Sequence, residues 1–179
     1  MGRVLDAITD ELAAFIAAQR VFFVATAPTD GGHVNLSPKG LDTFTVLDPS
    51  KVAYLDLTGS GVETIAHLRD NGRITLMFCA FEGPPMIVRV YGRGSTLVPA
   101  DPGFADLRNH FPAARKAVRA VIAVHIDEVR TSCGYGVPLM DYAGDRDDQD
   151  RWADRKGEDG LVRYRAEKNA FSLDGLPGL

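Results

Sequence analysis

The stretch from Lys51 to Phe81, KVAYLDLTGSGVETIAHLRDNGRITLMFCAF, constrains the fold more than any other part of the chain. Val52, Tyr54, Leu55 and Leu57 describe a half-buried strand, and Thr58-Gly59-Ser60-Gly61 then frees the backbone. Val62 to Arg69 takes up helical spacing, Asn71-Gly72 stops it, and Arg73 to Phe81 reads as a second strand. A helix start behind a glycine turn suits an anion, because its first amides lack partners within the helix and its dipole end is positive. The same layout is also met in purely structural turns, where glycine supplies positive φ. Gly59-x-Gly61-x-x-Thr64 lacks the third glycine of a dinucleotide fingerprint, and no Gly-Lys-Ser/Thr follows to make a P-loop.

The flanking sequence decides what kind of sheet holds this unit. Arg20 to Ala27, RVFFVATA, is a strand that Pro28-Thr29-Asp30-Gly31-Gly32 reverses into His33 to Ser37. Pro38 has no ladder donor, so Ser37-Pro38-Lys39-Gly40 is expected to be a strand end or bulge that exposes Lys39. Asp42 to Leu47 alternates and turns at Asp48-Pro49-Ser50, Met86 to Val98 is a long strand carrying Gly92 and Gly94, and Val121 to Arg130 is another. Helices are expected over Arg3 to Ala18, Asp101 to Asn109 and Pro112 to Arg119, with charged helical segments around Asp147 to Lys156 and Gly160 to Asn169. Strand, helix, strand occurs only once, which disfavours a doubly wound parallel sheet. Six or seven strands joined mostly by tight turns must pair antiparallel, and a closed or nearly closed barrel removes their edges. The expectation is a mainly β chain with peripheral helices: one domain over 1–179, with a helical C-terminal extension from about residue 138.

Composition removes several function classes. Twenty basic against 24 acidic residues, with a pI near 5.5, give no electrostatic case for nucleic acid. Asp10-Glu11 and Gln19-Arg20 interrupt the first apolar region, so no membrane span is expected. Cys79 and Cys133 do not form a secreted disulfide framework, and a reduced cytoplasmic setting is expected. The four histidines match no metal-ligand spacing, and the acidic run Asp145 to Asp150 lacks the glycine and final glutamate of a calcium loop. There is no Gly-x-Ser-x-Gly elbow, and no catalytic acid or base can be named.

What remains is a set of anion-directed residues: Lys39, Thr58, Ser60, Thr64, Arg89 and Arg93. Hydroxyls, backbone amides and one or two cations suit a phosphate monoester, although Arg89 and Arg93 also fit as plain solvent-facing strand positions. The order of RVFFVATA, HVNLSPKG, VAYLDLTGSGVETIAHLRDNGRITLMF and IVRVYGRG resembles the pyridoxamine 5'-phosphate oxidase-like family of FMN-binding split β-barrels, antiparallel and Greek-key-like. The resemblance covers about residues 19 to 98 and extends more weakly through TSCGYGVPLM and SLDGLPGL. It implies a homodimer with FMN at the subunit interface and an FMN-dependent oxidoreductase of unknown small-molecule substrate. It further implies that Lys39, Thr58, Ser60, Gly61 and Thr64 surround the phosphate and that Asn35, Leu36 and Ser37 run along the isoalloxazine edge. Glu63 and Thr64 stand where authentic oxidases carry Arg-Lys, and their terminal Arg and His pattern is not recognisable here. A deazaflavin coenzyme in place of FMN, and a non-catalytic storage module in place of an enzyme, therefore stay open.

Overall fold

The structure, a computed structural model, describes residues 2–179; residue 1 of the expected 1–179 domain lies outside the described residues. In chain order the elements are β1 (Val4–Leu5), α1 (Asp10–Ala18), β2 (Phe22–Thr26), β3 (Asn35–Lys39), β4 (Phe44–Asp48) and β5 (Lys51–Leu57). They continue as α2 (Glu63–Asn71), β6 (Arg73–Cys79), β7 (Ile87–Leu97), α3 (Phe104–Arg108), β8 (Val118–Ser132) and α4 (Asp148–Lys168). All pairings are antiparallel, in the order β3-β2-β6-β7-β8-β5-β4, with β1 added beside β8. The connection through α2 carries the chain from β5 to β6, which lie two strands apart in the sheet, and this makes the order Greek-key-like rather than a simple meander. The two ends, β3 and β4, do not pair, so the sheet is not closed and the barrel is split between them.

Period-two alternation places the core. Phe22, Val24, Val52, Tyr54, Leu76, Phe78, Val88, Val90 and Ile122 face one interior, joined by Leu12 and Ile16 of α1 and by Ile65 and Leu68 of α2. Phe22, Phe44, Tyr54 and Phe78 contact one another with ring centres 4.9–5.7 Å apart. The opposite face of β5, Ala53 and Leu55, packs with Phe111 and Val121 under α3. No helix of the described residues is long and apolar enough to cross a membrane.

Three local expectations are corrected. The first helix begins at Asp10 rather than Arg3, because the Thr9 hydroxyl caps it by accepting from the Leu12 amide, while Val4 and Leu5 pair with Arg130 and Val129. Pro38 sits inside β3 opposite Phe23, tolerated because β3 is the sheet edge. Residues 112–119 form no helix: Arg108 ties down the carbonyls of Phe111, Pro112, Ala113 and Arg115, and Arg119 already belongs to β8. The two charged C-terminal segments agree with the expectation: α4 is two helical stretches separated by a non-helical kink at Gly157 (φ 64°, ψ 171°).

Candidate functional site

Register decides which residues of β3 can act together. Asn35, Ser37 and Lys39 pair with Thr26, Val24 and Phe22, all buried, so these three side chains share the interior face while Leu36 points outward and is 64% exposed. Asn35 Nδ2 donates to Thr26 Oγ1 at 3.2 Å and to Thr64 Oγ1 at 3.0 Å, and the Ser37 hydroxyl donates to Asn35 Oδ1 at 3.0 Å. Thr26 Oγ1 lies 3.0 Å from Nδ1 of the fully buried His67. Burial holds the His67 imidazole below its ordinary pKa, with Asp174, Glu63 and Asp70 opposing that direction. Three predicted residues, Asn35, Ser37 and Thr64, thus form one polar network beneath α2.

Lys39 belongs to a second cluster. Its Nζ donates to Asp56 Oδ1 at 2.9 Å, and Arg119 Nε donates to Asp56 Oδ2 at 2.6 Å, with Asp56 fully buried and Arg119 nearly so. Burial alone would push the Asp56 carboxyl up, but Lys39 and Arg119 outweigh it and the net direction is down. Burial, and then the Asp56 charge, push the Tyr54 phenol well above its ordinary range.

The Thr58–Gly61 loop ends β5 beside this cluster, and every one of its carbonyls is held. Gln149 Nε2 donates to Thr58 O at 2.8 Å, Asn169 Nδ2 to Gly59 O at 2.9 Å and Ser60 O at 3.3 Å, and Arg119 Nη2 to Gly61 O at 2.7 Å. The C=O and following N–H of a trans peptide point in opposite directions, and the described residues contain no cis bond. The amides of Ser60 and Gly61 are therefore aimed away from Asn169, and both residues are exposed, whereas Val62 is buried. Thr58 is buried; its hydroxyl donates to Ala117 O and accepts from Arg165 Nε, both at 2.8 Å. Glu63 turns to the C-terminal tail, where its Oε1 accepts from the Leu173 amide at 3.2 Å. Its Oε2 lies beside Gly61, where an added Cβ would push this flexible carboxylate aside.

Between the end of β3 and the end of β5 lies a cleft of about 190 Å³, lined among others by Pro38, Lys39, Gly40, Thr43, Thr58 and Gln149. Arg89 and Arg93 are not part of it: Arg89 donates to Ser132 Oγ, and Arg93 donates to Asn71 O and lies 3.9 Å from Asp127. Sequence reasoning missed Asp56, Arg119, Gln149, Arg165 and Asn169. One signal was available, since Asp56 continues the inward parity of Val52 and Tyr54, and a carboxylate facing the interior requires a cation.

Comparison with known proteins agrees with this architecture. Residues 8–133 match the sequence model of the pyridoxamine 5'-phosphate oxidase family. The pyridoxamine 5'-phosphate oxidase family protein ustO of Aspergillus flavus is 42% identical over 192 aligned positions, covering 97% of this chain and 76% of the relative. The chain belongs to the pyridoxamine 5'-phosphate oxidase family. In fold it is similar to HupZ of Group A Streptococcus, at a TM-score of 0.56 and 22% identity over 68% of this chain and 91% of that one. A candidate pyridoxamine 5'-phosphate oxidase from Lactobacillus delbrueckii gives a TM-score of 0.54 at 24% identity, over 70% and 94% of the two chains. An FAD-binding protein of Mesorhizobium loti gives 0.50 at 19% identity, over 74% and 99%. The cleft and the Thr58–Gly61 loop both lie mainly within the family-matched residues, whereas Gln149, Arg165 and Asn169 lie beyond them.

Proposed function

We propose that the chain binds FMN in the cleft between the ends of β3 and β5 and acts as an FMN-dependent oxidoreductase on a small molecule. The observation that carries this is a shared cleft: the Lys39 ammonium from β3 lines it together with Thr58 and Gly59 of the loop, whose next residues, Ser60 and Gly61, are exposed, while Gln149, Asn169 and Arg119 hold the loop carbonyls. The donor set suits a phosphate monoester, because it offers one cation, a hydroxyl and the amides of two exposed loop residues, Ser60 and Gly61. Glu63, the residue least compatible with a dianion, is anchored to the tail through Leu173. When bound, a flavin supplies the electron transfer. The chain supplies position: Lys39 balances charge, Ser60 and the amides orient the phosphate, and Gln149 walls the cleft from solvent. Asn35 and Ser37, held in their shared network, present a fixed polar edge.

The same reading includes a homodimer. The edge strand β3 carries Leu36, 64% exposed, and follows Val34, 75% exposed, and an apolar sheet edge of this kind favours cover by a second copy. Both cysteines are free, which suits the reducing cytoplasm. A second reading, flavin or deazaflavin storage without turnover, is favoured by one observation: the cleft lining contains no histidine, cysteine or carboxylate.

The test is cofactor identity. Purified protein should be yellow or take up added FMN, and a nicotinamide donor should reduce it, with one member of a substrate panel accelerating reoxidation. A chain that takes up the deazaflavin and not FMN would replace the cofactor assignment. A colourless chain that binds neither would overturn the flavin reading, and flavin binding without any substrate effect would favour storage.

A further inference from the structure

We infer that Asn169, acting with Arg119, is a positioning residue that gives this chain its preference for a phosphorylated flavin over an unphosphorylated one; the inference rests on the flavin reading above. Asn169 caps the C-terminus of α4, is fully buried, and lies well beyond the family-matched residues 8–133. Its side chain is fixed in one orientation: Oδ1 accepts from Arg119 Nη1 at 3.0 Å, so Nδ2 must face the loop, where it donates to Gly59 O and Ser60 O. Arg119 completes the arrangement with a donation to Gly61 O, and its own place is set by Asp56.

The consequence follows from peptide geometry. Pinning the Gly59 and Ser60 carbonyls toward Asn169 turns the following amides of Ser60 and Gly61, both exposed residues, away from it, where a phosphate oxygen can reach them. Two of the four loop residues are glycines, and a Cβ at Gly59 would meet nothing within 4 Å, so packing does not hold the loop. Without Asn169 the Ser60 peptide loses its anchor and the Gly59 carbonyl keeps only the 3.3 Å donation from Arg119 Nη1, so a carbonyl oxygen can turn into the position a phosphate needs. The tail fixes Asn169 in turn: the Leu179 amide donates to Asn169 O, and Gly178 packs against Val62. A segment outside the family-matched core thus shapes the phosphate end of the site while leaving the ring end, at Asn35 and Ser37, untouched.

The experiment measures dissociation constants for FMN and for riboflavin, which lacks the phosphate, on the full chain and on Asn169→Ala. The wild type is expected to prefer FMN, and in the variant that preference should fall about tenfold, the effect of losing two hydrogen bonds, with riboflavin affinity unchanged. Should Asn169→Ala fold poorly, Asn169→Asp keeps the size and the acceptor toward Arg119 but loses both donations, and the same fall is expected. An unchanged FMN-to-riboflavin ratio in a folded variant, or a wild type that binds both flavins equally, would overturn the inference. A wild type that binds neither flavin overturns the flavin reading itself.

Discussion

Asp56 and Arg119 meet at 2.6 Å although 63 residues separate them in sequence, and the pair is closed off from solvent with Lys39 on the other carboxylate oxygen. One buried carboxylate thereby holds the inner end of β3, the start of β8 and, through Arg119, the Gly61 end of the loop. Removing it leaves two cations facing each other across the interior. Asp56→Asn should destabilise the fold by about 3–5 kcal/mol, the cost of breaking a buried ion pair from one side. Urea unfolding at neutral pH measures this.

The same carboxylate sets an acid limit. Its folded pKa lies below the ordinary value of 3.8, so near and below that value the unfolded chain binds more protons than the folded one. The stabilisation is therefore complete above about pH 3.8 and is lost as pH falls through the lower folded value. Wild type should lose stability in that range more steeply than Asp56→Asn, compared by unfolding midpoints from pH 5 to pH 2.5.

His67 titrates in a separate window. Its folded pKa is depressed from 6.5, so it contributes stability above that pH and loses it as the pH drops toward the folded value, where the buried ring must charge. Thermal midpoints should fall in wild type between pH 7.5 and pH 5, and less so in His67→Asn, which removes the titrating ring and leaves the other three histidines in place.

The C-terminal tail docks through a contact that only glycine permits. A Cβ on Gly178 would run into Asn169 O and into both Val62 methyl groups, at 2.8 and 2.9 Å. Gly178→Ala should lower stability by about 1–3 kcal/mol through overpacking and should make the residues after α4 open to limited proteolysis.

How much of this was legible depends on how local each interaction is. The strand, glycine loop and helix of residues 51–72 were readable because period and punctuation are local signals. The stretch 112–119 misled because its helical spacing is overridden by Arg108, which holds its carbonyls from outside the segment. Asp56, Arg119 and Asn169 could not be assembled from sequence: Arg119 stands 63 residues from the first and 50 from the last, and no periodicity reports a contact of that range. Thr58 illustrates the limit within the loop itself, since its type suited a ligand while its hydroxyl is engaged by Ala117 and Arg165.

The most direct measurement is a calorimetric titration of FMN into the wild-type chain and into the double variant Lys39→Ala, Ser60→Ala. Loss of a charge-assisted hydrogen bond and a hydroxyl should weaken FMN binding at least about tenfold, while the double variant stays folded because Arg119 still pairs Asp56. Equal affinity in the two proteins would contradict the account and move the phosphate away from the cleft between β3 and β5.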